Sequence, residues 1–428
     1  MHILFLSDNF PPEVNAPASR TFEHCREWVA QGHQVTVITC VPNFPKGKVF
    51  DGYKNKLIQQ ENIEGMKVIR VWSYITANEG TLKRMGDYMS YMMTSFLAGL
   101  RVKNVSVIIG TSPQFFTVCS AYALSIFKRV PWVFELRDLW PESIKAVGAM
   151  EDSALLDFFE KLELFLYRKA HHIITVTHSF KRNLIERKID ENKISVITNG
   201  VDMTRFMPMP KDGSLLNELG LNGKFIVGYI GTHGLAHSLE TLLQAASILQ
   251  NQAAVAVNNK VAINGSINSE SILFNNIHFI FLGEGAKKTE LREKATVLNL
   301  KNVLFLDSVP KSEVVRYWSL LDISIIHLKK TELFTTVIPS KLFECMGMGI
   351  PVLHGVRGES ADIVLQEKIG EVFEPENAQA LVDGIIKLKN NNDLYLQYKK
   401  NSLNAAKKYD RKYLALEMAK AILGCSHI

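Results

Sequence analysis

Paired cysteines, long charged runs, a strong charge of either sign and unbroken apolar spans are all missing from this 428-residue chain. Its five cysteines (Cys25, Cys40, Cys119, Cys345, Cys425) never stand closer than fifteen positions. Neither a zinc knuckle nor a disulfide framework fits, and a reducing compartment is expected. Net charge is only +6, too mild to call for a nucleic-acid partner. The longest uncharged run, 104–127, is interrupted by Gly110 and Pro113, so strand, turn and buried helix explain it better than a membrane span. The opening MHILFLSDNF has no basic leader and reads as a first strand, not a signal peptide. The loop that follows, SDNFPPEVN, lacks glycine, which speaks against a nicotinamide-dependent dehydrogenase.

What is present is a repeated alternation. ILFLS, QVTVITC, VSVIIG, WVFEL, HHIITVT and KISVITNG are apolar runs of strand length, with helical patterns at 17–31 and 178–188 among them. The pattern restarts at FIVGYIG, with a helix over 237–250, then IHFIFLGEG, NVLFLDSV, ISIIHLK and PVLHG. Runs apolar on both faces and separated by helices predict an α/β chain with two parallel sheets, each covered on both sides. The break is expected in NGVDMTRFMPMP, giving domains 1–205 and 206–405 and a closing helical segment 406–428. Residues 251–276, rich in Asn and Ser, read as a helix end and a loop.

Six of the seven charged residues between Lys83 and Arg129 are basic. They flank the apolar YMSYMMTSFLAGL, so segment 83–103 fits either a core helix with solvated ends or a helix lying on an anionic membrane surface.

Phosphate chemistry is suggested at three strand ends of the second half. In TVIPSKLFECMGMGIP, Pro339 suits the first turn of a helix, and the free amides around Val337, Ile338 and Ser340 would form an anion site. Lys341 adds a cation there, and Glu344 could accept from two ribose hydroxyls. The bland alternative is a solvated Lys341–Glu344 pair. Gly231-Thr232-His233-Gly234 turns a second strand into a helix that carries His237, and Phe281-Leu282-Gly283-Glu284-Gly285 ends a third. Three such strand ends mark the carboxyl edge of a parallel sheet, where nucleotides bind.

In the first half, the loop from Pro11 to Ala16 leads into a helix, so Asn15 and Ala16 suit phosphates or an acceptor, and Arg20 stands one turn in. FELRDLWPES at 134–143 places Glu135, Arg137 and Asp138 after an apolar strand. The alternative for Asp138 is a helix cap. Adjacent His171 and His172 point to opposite faces, and His233 with His237 lack a carboxylate third ligand, so no metal site is expected.

Taken together, NGVD at 199–202, YIGTHGLAHSLETLL at 229–243, FLGEGAKKTEL at 281–291 and IPSKLFECMGMGIPVL at 338–353 resemble retaining glycosyltransferase family 4. The opening SDNFPPEVNAPASR and FELRDLWPES are similar to its bacterial branch of WbuB-like and WcaI-like transferases. The resemblance implies the GT-B fold, two Rossmann-like domains with a last helix returning to the first. It implies no metal, and the chain has no Asp-x-Asp. It also implies a UDP-sugar donor, with L-FucNAc favoured over GlcNAc, and an undecaprenyl-diphosphate-linked saccharide acceptor in O-antigen or capsule assembly. Arg137, Asp138 and Lys341 are the expected catalytic groups. Gly231, Thr232, His233, His237, Glu284, Ile338, Pro339, Ser340 and Glu344 are expected at the donor. The implied place is the inner face of a bacterial membrane. Three positions depart from the family pattern: Thr336 replaces a glutamate that faces the donor sugar, and Thr232 and His237 replace diphosphate-binding Arg and Lys. A UDP-sugar epimerase and a non-catalytic nucleotide-binding component of an assembly complex therefore stay open.

Overall fold

The computed structural model describes the chain except residues 45–46, 77–80, 140–153, 263–275 and 426–428. It contains two units, Met1–Asn199 with Arg411–Ile428, and Gly200–Asp410. The breaks fall at 199/200 and 410/411, a few residues from the expected 205/206 and 405/406. Val201 explains the difference: its N–H donates to Tyr409 O at 2.9 Å, and it pairs in parallel with Asp410. Both connecting stretches are thus bonded into the second unit.

The first unit is an eight-stranded sheet: β1 (His2–Leu6), β2 (Gln34–Cys40), β3 (Ile58–Ile63), β4 (Met66–Val71), β5 (Val107–Thr111), β6 (Trp132–Leu136), β7 (His172–Thr175) and β8 (Ile194–Val196). Their order is β3-β4-β2-β1-β5-β6-β7-β8. Helices are α1 (Ala16–Ala30), α2 (Thr81–Leu100), α3 (Phe115–Lys128), α4 (Ala154–Lys169) and α5 (His178–Glu186). Strand β1 shows why the sequence folds this way. All five of its residues are buried, and alternate ones serve opposite faces. Ile3 and Phe5 pack with Cys25 and Trp28 of α1, while Leu4 and Leu6 pack with Tyr91 of α2 and Leu124 of α3. The final helix, Arg411–Cys425, joins the α1 side: Trp28 Nε1 donates to Ala415 O at 2.9 Å, and Met418 and Ile422 are buried there.

Three strands, β3, β4 and the three-residue Gly370–Val372 of the second unit, are not among the runs marked in the sequence. β3 runs antiparallel to β4 at the sheet edge, and its IQQENI alternates between exposed and half-buried. Glu64 and Gly65, both at positive φ (47° and 83°), make the two-residue turn that reverses the chain.

The second unit is a six-stranded parallel sheet of β9 (Phe225–Ile230), β10 (Ile277–Leu282), β11 (Val303–Leu306), β12 (Ile323–His327), β13 (Val352–Gly355) and β14 (Gly370–Val372). The order β11-β10-β9-β12-β13-β14 reverses direction between β9 and β12. Its helices are α6 (Gly213–Glu218), α7 (Glu240–Ala262), α8 (Lys288–Val297), α9 (Val314–Leu320), α10 (Lys341–Met348), α11 (Glu359–Glu367), α12 (Ala378–Asn390) and α13 (Asn392–Ala406). Helix α7 starts at Glu240, after a separate turn Leu235–His237 that carries His237, and runs to Ala262, so the helix end expected in 251–276 occupies 251–262. Two Rossmann-like α/β units of this order are the GT-B architecture. Among the described residues no helix is long and apolar enough to cross a membrane.

Candidate functional site

In an open parallel sheet, ligands bind beyond the carboxyl ends of the strands where the strand order reverses. In Gly200–Asp410 that place lies between β9 and β12. The Gly231–Gly234 turn leaves β9 there, and the stretch after β12 leads to α10. The two are tied together by Lys329 N–H, which donates to Ala236 O at 2.9 Å.

Lys341 is the centre of this site. It is the first residue of α10, and its Nζ donates to Tyr229 Oη at 2.8 Å, 4.1 Å from the centroid of the Tyr229 ring. Tyr229 Oη in turn donates to Thr232 O at 2.9 Å. Burial pulls the Lys341 pKa down to about 8, against the opposing pull of Glu344. Gly231 makes the passage possible. Its φ of 145° belongs to glycine, and a Cβ there would fall inside the Lys341 side chain. Lys341 is therefore not half of a plain solvated pair with Glu344. Tyr229, which sequence reasoning passed over, holds it.

The helix entry differs from expectation by a residue or two. Pro339 stands before the helix, not in its first turn: Ser340 is the cap, with helical φ and ψ of −58° and −26°. Pro339 O accepts from Leu342 N–H at 3.0 Å, Ser340 O accepts from Phe343 N–H at 3.1 Å, and the Val337 amide is taken up by Phe334 O. Among the described residues, the amides of Thr232, Ile338, Ser340 and Lys341 have no acceptor. They are donors available to an anion. Thr336 turns away: its hydroxyl donates to Leu333 O at 3.0 Å within the turn Glu332–Thr336.

His233, His237 and Glu284 stand in three different settings around this turn. His233 is fully buried against Tyr229, Phe281 and Phe305, with neither ring nitrogen bonded. Its backbone N–H donates to Glu284 O at 2.8 Å, and its carbonyl accepts from Lys287 N–H. Its ring serves packing among these aromatic side chains. His237 is half-buried, and burial with Lys341 nearby lowers its pKa to about 4, as burial with Lys288 and Lys341 does for His233. With no anion beside them, both rings are neutral at pH 7. The Glu284 carboxylate pairs with Lys288 at 2.6 Å, and Lys288 also holds Asp307.

His327 braces the same corner and was also missed. Its Nδ1 lies 2.8 Å from His237 O, and its Nε2 accepts from Glu376 N–H at 2.9 Å. Because a carbonyl only accepts, Nδ1 carries the proton and the ring is neutral.

In the first unit, the corresponding reversal lies between β1 and β5. Asn15 caps α1, accepting from Ala18 N–H at 2.8 Å, while its amide donates to Asn9 Oδ1. Ala16 is exposed beside it. Arg20 does not reach an acceptor. It is buried, with Nε on Glu135 Oε1 at 2.9 Å and its other nitrogens on Ile197 O, Thr198 O and Asn199 Oδ1. It ties α1 to β6 and to the chain leaving β8. Arg137 is more open: Nη1 donates to Pro17 O at 3.2 Å, and Ser112 Oγ accepts from its backbone N–H. Nε and Nη2 have no partner among the described residues. Burial brings its pKa down to about 10, which leaves it cationic at neutral pH. Asp138 stands beside it with its amide on Ser112 Oγ at 3.3 Å. Trp140 to Ser143 of the same motif lie outside the described residues.

Comparisons with known proteins agree with this architecture. A family model described as Glycosyltransferase Family 4 matches residues 18–205, and one described as Glycosyl transferases group 1 matches 215–405. The chain is similar to an Escherichia coli (strain K12) protein named as a colanic acid biosynthesis glycosyl transferase, WcaI. The two are 24% identical over 424 residues, 94% of this chain and 97% of that protein. Among solved structures, sucrose-phosphate synthase from Thermosynechococcus elongatus matches 99% of this chain and 98% of its own at 15% identity, with a TM-score of 0.73. Anabaena HepE, solved with UDP and glucose, matches 99% of this chain and 100% of its own at 15% identity, with a TM-score of 0.68.

Proposed function

We propose, from the premise that the chain belongs to the family 4 glycosyltransferases of GT-B fold, that it moves a sugar from a UDP-sugar to a lipid-linked saccharide during polysaccharide synthesis. An N-acetylated deoxyhexose such as L-FucNAc, or GlcNAc, is the proposed sugar, and undecaprenyl diphosphate the proposed carrier. The observation that carries this reading is Lys341 on Tyr229 beside four amides without acceptors, at the sheet reversal of the second unit. A cation and N–H groups without acceptors at that place suit a diphosphate, and HepE binds UDP on a similar fold.

The proposed reaction retains configuration. The bond between the anomeric carbon and the diphosphate oxygen breaks while the acceptor oxygen bonds to the same face. The acceptor proton passes to the departing diphosphate. Lys341 and the amides stabilise charge as it grows on that leaving group, which lowers the barrier because the charge is larger in the transition state than in the bound donor. Glu344 accepts from the ribose hydroxyls. On the acceptor side Arg137, too basic to take a proton, grips phosphate through its open nitrogens, and Asp138 orients the acceptor hydroxyl. No metal or other cofactor enters this scheme.

The test is a donor screen against a synthetic GlcNAc-diphosphate-lipid, read by mass spectrometry. A mass gain on the lipid with one UDP-sugar is the expected result. Donor isomerised without a gain would instead make the chain an epimerase, and donor bound but unchanged would make it a non-catalytic component.

A further inference from the structure

A helix lying on the surface of a globular unit ordinarily turns its apolar stripe inward and its polar residues to water. Helix α2 buries such a stripe, with Tyr91 and Ala98 in the core and Tyr88, Met92 and Phe96 packed against it, but its outer face is apolar as well. Its polar residues are engaged by the protein: Ser90 Oγ accepts from Tyr74 N–H at 2.7 Å, Thr94 Oγ1 donates to Trp72 O at 2.8 Å, and Ser95 Oγ meets Ser120 Oγ at 3.0 Å. Met89, Met93, Leu97 and Leu100, spaced by four, four and three, are left in water, with Met93 55% and Leu97 49% exposed.

The stripe continues onto the neighbouring helix. Phe96 of α2 meets Phe127 of α3 edge-on at 5.4 Å, and Phe127 is itself 69% exposed beside exposed Ile126. Gly99 is why the two helices come so close, since a Cβ there would collide with Leu124 of α3. The result is one contiguous apolar face of flexible Met and Leu side chains with an aromatic edge.

Charge says what covers it. Lys83 is exposed at one end of α2, and Arg101, Lys103 and Arg129 are exposed beyond the far ends of α2 and α3. Lys128 folds over the α2 terminus, its Nζ donating to Val102 O at 2.6 Å. The single carboxylate in residues 83–129 is Asp87, which accepts from Ser73 Oγ at 3.0 Å. An apolar strip flanked by cations complements the headgroup and upper acyl region of an anionic bilayer. The helix does not meet the requirements of a membrane span.

We infer that the outer face of α2, with the end of α3, is a docking surface for an anionic lipid bilayer. The inference deepens the proposed reaction, because a lipid-carried acceptor lies in a bilayer, yet its test needs no turnover.

The full chain is sedimented with vesicles of phosphatidylcholine alone and of phosphatidylcholine with phosphatidylglycerol at 3:1. Wild type pellets with the anionic vesicles, and raising salt from 50 to 500 mM lowers the bound fraction at least fivefold. Leu97→Gln with Phe127→Gln, and separately Arg101→Glu with Lys103→Glu, cut binding at least fivefold. Both variants keep a cooperative thermal transition within a few degrees of wild type, because what they lose at the surface is the Phe127 edge contact with Phe96 and the Arg101 bond to Leu97 O. Wild type left in the supernatant, or the Leu97/Phe127 variant pelleting like wild type, overturns the inference. A wild-type dimer that the Leu97/Phe127 variant dissociates, with no vesicle binding, overturns it in favour of a second copy of the chain. Vesicle binding without transfer to any acceptor leaves the docking surface standing and removes the proposed reaction. Transfer to a water-soluble acceptor without vesicle binding does the opposite.

Discussion

Lys341 Nζ donates to the hydroxyl of Tyr229 at 2.8 Å and rests 4.1 Å from the centroid of the same ring. The cation thus has one acceptor and one aromatic face, in a setting whose burial already lowers its pKa to about 8. Tyr229→Phe keeps the ring and removes the acceptor, which disfavours the ammonium further. Because the reaction needs Lys341 charged, kcat/KM of wild type is expected to fall as pH rises through about 8, and that limb moves lower in Tyr229→Phe. Lys341→Ala lowers turnover more than it lowers UDP affinity. An alkaline limb that stays fixed in Tyr229→Phe would assign the ionisation to another group.

Glu344→Gln is expected to weaken UDP binding by about 1–3 kcal/mol, the scale of hydrogen bonds to a charged acceptor. Titration calorimetry measures it directly, and unchanged affinity removes Glu344 from the ribose.

Two arginines of the first unit are expected to fail in opposite ways. Arg20 is buried and bonded to Glu135 and the 197–199 backbone. Lysine keeps the charge for Glu135 but cannot reproduce that fork, so Arg20→Lys costs roughly 1–3 kcal/mol of stability, seen as a lower melting temperature. Arg137→Lys leaves the melting temperature in place and cuts turnover tenfold or more. Equal loss of stability in both variants would make Arg137 a structural residue as well.

His233 and His237 set an acid limit on stability. Both have folded pKa values near 4, below the unfolded value near 6.5. The unfolded chain therefore binds more protons between those pH values, and stability present above pH 6.5 is lost as pH falls toward 4. For fully buried His233 the effect is up to about 3 kcal/mol. His233→Phe, which suits the surrounding aromatic rings, should show a shallower fall in melting temperature over that range.

The strand ends and their turns were legible because glycine and proline punctuate them: Gly231, Gly283 and Pro339 all stand where a chain leaves a strand or enters a helix. Side-chain destinations were not. Tyr229 and Lys341 are 112 positions apart, and nothing local in FIVGYIG marks its tyrosine as a lysine's partner. Arg20, one turn inside a helix beside a candidate phosphate loop, has the same local context whether it faces solvent or Glu135, 115 positions on. His233 sits in a glycine-rich turn that reads as exposed. Tyr229 of the preceding strand, with Phe281 and Phe305 from other strands, buries it. β3 was missed for a different reason: an edge strand half in water carries the polar residues that mark loops.

The final helix has a consequence for synthesis. Trp28 gives its indole proton to Ala415, and Arg411 bonds Glu23 on the same face of the first unit. The first unit is therefore written in two pieces, with all of Gly200–Asp410 between them. A ribosome adding roughly 5–20 residues per second needs on the order of 10–40 s to cross that interval. During it the Trp28 face stays uncovered while the intervening unit, which is continuous, can close on its own. The second unit to be encoded is thus the first able to finish folding, and the nascent first unit carries an exposed apolar face that a chaperone would recognise until the last helix arrives.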